Sequence, residues 1–72
     1  MSSDQLKPRQ ALEQGLLAHN IPILEKKVAS FVVPKGYEIE FESGFLFKLW
    51  WEGEVVAPFS DINELCQFLN MA

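Results

Sequence analysis

Three tripeptides ending in glycine, Pro34-Lys35-Gly36, Glu42-Ser43-Gly44 and Trp51-Glu52-Gly53, divide residues 28–59 into short runs rich in β-branched and aromatic residues. Such runs favour strands, and a glycine closing a short loop supplies the left-handed backbone that a hairpin turn requires. Side chains alternate between the two faces of a strand, so a hairpin register has to set apolar residues opposite apolar ones. At the second tripeptide a two-residue loop, Ser43-Gly44, would pair Ile39 with Lys48 and mix the faces. A three-residue loop instead pairs Phe41 with Phe45, Ile39 with Phe47 and Tyr37 with Leu49, and leaves Glu38 opposite Lys48.

The same construction sets Val33 against Tyr37 and Phe31 against Ile39 at the first turn. At the third it sets Leu49 against Val55, Phe47 against Ala57 and Phe45 against Phe59. The expected product is a four-stranded antiparallel meander. Its inner face carries Ala29, Phe31, Val33, Tyr37, Ile39, Phe41, Phe45, Phe47, Leu49, Val55, Ala57 and Phe59. Pro58 belongs on an edge strand, where a missing N–H does no harm.

Both flanks read as helix. Pro8 suits a first helical position, and Ala11, Leu12, Glu13, Gln14, Leu16 and Leu17 favour continuation to about Ala18. Gly15 interrupts the good formers and permits close approach to a neighbour, for which the sheet is the expected partner. Asn20 in a left-handed cap, followed by Pro22, ends the helix. Residues 1–7 are expected to fray. At the other end Ser60 or Asp61 caps a helix to about Asn70, with Ile62, Leu65, Cys66 and Leu69 forming one apolar stripe. The segment 21–27, IPILEKK, fits helical spacing as well, but Val28, Phe31, Val32 and Val33 favour an extended chain. The fold expected is α+β in one domain: N-terminal helix, four-stranded meander, C-terminal helix, with both helices on the inner sheet face.

With 72 residues the chain is near the lower size limit for folding without staples, and its single cysteine, Cys66, forms no internal disulfide. No apolar run is long enough to span a bilayer, and MSSDQLKPRQ lacks a basic stretch leading into an apolar one. No membrane or signal segment is therefore expected, and the cytoplasm is the default location. Ten acidic and six basic residues give a net charge of −4, which weighs against a general nucleic-acid binder.

Catalysis requires a nucleophile or base with a group that orients it. His19 is the only histidine and Cys66 the only cysteine, and no spacing brings them together. They read as a solvated residue at a helix end and a small core residue. Cys-x-x-Cys, His-x-x-x-His, Asp-rich loops and phosphate-binding glycine loops are all missing from the sequence, so neither metal, nor cofactor, nor enzymatic activity is expected. Glu38, Glu40 and Glu42 alternate as a solvated strand face does.

The remaining signal is Trp50-Trp51. Parity places Trp50 on the outer sheet face with Leu46, Val28, Val32 and Val56, and leaves Trp51 in the third turn as a peripheral anchor. Tryptophan is enriched among residues that dominate binding energy, and exposed apolar patches mark contact sites. The expected function is a protein-interaction or regulatory accessory module. Trp50, Leu46, Val56 and Val32 form its centre, Trp51 its periphery, and Lys48 and Glu38 set its register. The partner is another protein or a second copy in a homodimer. Single-stranded nucleic acid stacked on the aromatic rings is the alternative, weakened by the carboxylates on the same face.

Overall fold

In the computed structural model, which describes residues 7–72, the Gly-ended turns generate an antiparallel sheet flanked by two helices. The first helix, α1, spans Pro8–Ala18. Strands follow at Glu25–Lys26 (β1), Ser30–Val33 (β2), Tyr37–Ser43 (β3), Leu46–Trp51 (β4) and Glu54–Phe59 (β5), and the second helix, α2, spans Ile62–Met71. The five strands lie in sequence order β1-β2-β3-β4-β5. The architecture is thus the expected α+β fold with one strand more. The added strand comes from 21–27: Glu25 and Lys26 pair with Val32 and Phe31, so this segment is extended along the edge of β2. The fraying expected for 1–7 falls mostly on residues outside the described ones.

The ends of α1 are set by local chemistry. Pro8 occupies the first position, and the Gln10 side chain accepts from the Lys7 N–H at 3.4 Å. At the other end Asn20 adopts φ +61. The Asn20 and Ile21 N–H groups donate to the Leu17 and Leu16 carbonyls at 3.0 and 2.8 Å, the paired hydrogen bonds of a Schellman cap. Ile21, buried, is its apolar clasp. Asp61 caps α2 by accepting from the Asn63 N–H at 2.8 Å.

The two helices cover a single sheet face. Leu12 and Leu16 of α1 and Leu65, Cys66 and Leu69 of α2 meet Phe31, Val33, Ile39, Phe47 and Leu49 of the sheet in one buried cluster. Arg9 fastens α1 to the β1–β2 connection. Its guanidinium donates to the Lys27 and Val28 carbonyls at 2.8 and 3.1 Å and lies 4.8 Å from the Phe31 ring centre. Gly15 faces α2 rather than the sheet: a Cβ there would overlap Ile62 Cγ2.

The first turn has the expected register, Val33 opposite Tyr37 and Phe31 opposite Ile39, with Lys35 and Gly36 both left-handed. The other two are tighter than expected. Phe41 pairs with Phe47 and Ile39 with Leu49, a slip of two residues closed by the two-residue loop Gly44-Phe45 and a bulge between Phe41 and Ser43. Phe47 pairs with Phe59 and Leu49 with Ala57, followed by a second bulge at Val56. Parity is blind to a slip of two, which keeps every residue on its face. A bulge is different, because its one extra residue reverses the faces beyond it. Val55 consequently lies beside Trp50 on the outer face instead of the inner one. Phe45 sits in the turn, exposed, with its ring against Phe47.

Both outer strands are poor templates for a further strand. β1 has two residues, both charged, while β5 carries the Val56 bulge and Pro58, which has no N–H to offer. The β4–β5 loop, Glu52-Gly53, has φ +51 and +85, the pattern of a type I′ turn, in which asparagine is preferred at the first position. Glu52→Asn is expected to gain about 0.5–1 kcal/mol, read as a higher urea midpoint at constant slope. An unchanged or lower midpoint would contradict this reading of the turn.

Candidate protein-interaction surface

The helix-free face of the sheet is built in two rows, one running across all five strands from Glu25 of β1 and one across β2–β5. Val32, Glu38, Trp50 and Val55 lie opposite one another in the first row. Ser30, Glu40, Lys48 and Pro58 form the second. Each row mixes apolar and charged side chains because this face has no layer above it to bury a continuous apolar surface.

Trp50 is half-buried, and its position is fixed by a diagonal hydrogen bond. Indole Nε1 donates to Glu40 Oε1 at 2.8 Å, which draws the ring across β3. Two residues back along β3, Glu38 Oε2 accepts from Ser30 Oγ at 2.5 Å and lies 3.5 Å from Lys27 Nζ. Lys48 stands opposite Glu40 in the ladder but bonds Glu42 Oε1 at 2.9 Å. That hydrogen bond and the Glu42 charge, with a smaller contribution from Glu40, hold the Lys48 ammonium above its ordinary pKa. Glu40 and Glu52 make no ion pair among the described residues.

These side chains surround a shallow concavity of about 460 Å³, lined by Ala29, Ser30, Gly36, Glu38, Glu40, Trp50, Glu52 and Gly53. Gly36 and Gly53, in the two turns at one end of the sheet, leave the wall low there, and Ala29 and Ser30 bound the opposite end. Three carboxylates and one indole line the space, and no cation does. The chemistry available there is hydrogen-bond acceptance, negative charge and an aromatic plane.

Of the residues singled out in the sequence, Trp50, Glu38, Lys48, Val32 and Leu46 belong to the outer face. Two do not stand where parity put them. Trp51 is not a turn residue but the last residue of β4, on the helix-bearing face. Its ring lies 6.2 Å from that of Tyr37, its Nε1 donates to the Lys35 carbonyl at 3.0 Å, and it is 42% exposed. It closes the first turn. Val56 is the extra residue of the β5 bulge, and Val55 takes the place beside Trp50. Val28 and Ala29, expected on strands, lie in the connection before β2, with Val28 98% exposed and Ala29 at the rim of the concavity. The expected Glu38–Lys48 pair is replaced by Glu42–Lys48, because the slip in register puts Glu40 opposite Lys48.

Glu40, which parity places on the rim of the outer face with Glu38 and Lys48, bonds the indole itself, and Ser30 and Glu52 join the surface without being marked by the sequence. For Glu40 the signal is the alternation of three glutamates on the strand next to Trp50. For Ser30 and Glu52 the sequence carries no comparable mark. Cys66 is fully buried, and burial raises its thiol pKa, which disfavours the reactive thiolate. His19 is the C-cap of α1. Among the described residues, no three His, Cys, Asp or Glu side chains converge as a metal site would require, and no helix is long and apolar enough to cross a membrane. No family model, curated protein or solved structure matches the chain.

Proposed function

We propose that this chain is a non-enzymatic protein-interaction module that binds through the outer face of its sheet. The observation that carries the reading is Trp50, an aromatic side chain held across the centre of the helix-free face by its bond to Glu40. A tryptophan fixed before binding loses little rotamer freedom when a partner arrives, which makes it an efficient anchor. The rows around it supply apolar contact from Val32 and Val55 and polar register from Glu38 and Lys48.

Self-association through the same face is the second reading, favoured by Leu46 and Val55, both exposed on the β4–β5 side. Sharing apolar surface stabilises a chain of this size. The single-stranded nucleic-acid alternative gains no support from a concavity whose only charges are carboxylates, since phosphates would be repelled.

Trp50→Ala is expected to keep the fold while weakening association by about 2 kcal/mol or more. Light scattering over a concentration series, on wild type and variant, separates the two readings. A dimer dissociated by Trp50→Ala assigns the face to a second copy. A monomer leaves it to an unlike partner, and proteins captured by wild type and by a Leu17→Ala control, but lost with Trp50→Ala, identify that class. Capture indifferent to Trp50 would sink the outer-face reading.

A further inference from the structure

Resting on the outer-face reading, we propose that the occupant of this face is an arginine-bearing segment of another protein, whose guanidinium enters the concavity over Trp50. The argument is charge complementarity. Three carboxylates, Glu38, Glu40 and Glu52, line the space without a cation among the lining residues. Lys27 approaches only Glu38, at 3.5 Å, and Lys48 is turned away to Glu42. Glu40 has one oxygen engaged by the indole, and Glu52 has no ion pair among the described residues.

Geometry selects arginine among cations. Glu38 and Glu40 are neighbours on one strand face, so their backbones are about 7 Å apart along the strand. A planar guanidinium with five donors can bridge two carboxylates at that spacing and lie against an indole, whereas an ammonium acts as a point charge. A free small cation is a poorer fit. The concavity is open and the row continues to Val32 and Val55 beyond the carboxylates, a continuation that only a peptide chain bearing apolar neighbours would use. A second copy is also a poorer fit, because it would oppose carboxylates with carboxylates and one concave surface with another.

The test is an NMR titration of the intact chain with a short synthetic peptide containing arginine and valine. Its citrulline counterpart, of equal shape and no charge, is run in parallel. The arginine peptide is expected to shift the Trp50 indole N–H and the Glu38 and Glu40 amides. Its binding should weaken with added salt, and about tenfold or more in the triple variant E38Q/E40Q/E52Q. The Glu40→Gln change keeps an amide oxygen as acceptor for the indole, and circular dichroism checks the fold of the variant. Equal affinity for the citrulline peptide, still centred on Trp50, would overturn the cationic partner and leave the outer-face reading standing. Shifts confined to the helix side would overturn both. No binding of the arginine peptide, shifts produced by oligo-dT instead, or a dimer that buries Trp50, would each overturn the proposal.

Discussion

Phe47→Ala is expected to cost about 4 kcal/mol, seen as a large fall in urea midpoint. Phe47 is fully buried, lies opposite Phe41 and Phe59 in the ladder, and has its ring centre 6.1 Å from that of Phe41 and 6.4 Å from that of Phe45. Removing it empties the place on the core face between Phe41 of β3 and Phe59 of β5. Stability of about 0.05–0.15 kcal/mol per residue is typical, so a chain this short has little margin for such a loss. The control is the preceding residue, Leu46, exposed on the opposite face, whose change to alanine is expected to cost about 1 kcal/mol or less. Similar midpoints for the two variants would contradict the assignment of faces in β4.

Gly15→Val is the second large effect, about 3 kcal/mol of destabilisation. Glycine is a poor helix former, and valine would ordinarily be an improvement in an exposed helix. Here a Cβ would overlap Ile62 Cγ2, with Cys66 Sγ 3.9 Å away, and the valine methyls lie beyond it. The methyl of Ile62 is a short branch on its own Cβ and cannot swing aside cheaply, so α1 and α2 must separate. The cause is tested by a double-mutant cycle with Ile62→Ala. Each single change should destabilise, and the pair should lose less than the sum by about 1 kcal/mol or more. Additive losses would mean that Gly15 is required for some reason other than the helix contact.

Alternation and turn chemistry, the two signals for the sheet, differ in reach. Alternation assigns Phe31, Val33, Ile39, Phe47 and Leu49 to the core face correctly, since burial of one face makes a slip of one residue prohibitively unfavourable. It has no means of detecting a slip of two at Gly44 and Gly53, nor the bulge that turns Val55 outward. Those depend on turn geometry, and the left-handed conformation of Glu52 is not one that glutamate advertises. The fifth strand is hidden by its length: two residues, Glu25 and Lys26, carry no periodicity.

The surface is legible in outline and not in detail. Trp50 stands on the outer face because it follows the inward-facing Leu49 in β4. Its bond to Glu40 is diagonal, and depends on the register that alternation leaves undetermined. Trp51 illustrates the opposite error. Counting it into a three-residue loop removes it from the strand, whereas the tighter turn returns it to β4 and to the side of Tyr37. Arg9 is invisible because its partners are backbone carbonyls 18 and 19 residues away.

The bulge and proline of β5, together with the brevity of β1, bear on how any partner would be read. Domains that recruit by lending a strand recognise backbone first, and tolerate much variation in what the added segment spells. With both flanks of this sheet unsuited to that exchange, discrimination falls to side chains meeting side chains across its open face. Selectivity written in that alphabet is changed one letter at a time, so single substitutions on the face can redirect such a domain while its scaffold stays as it is.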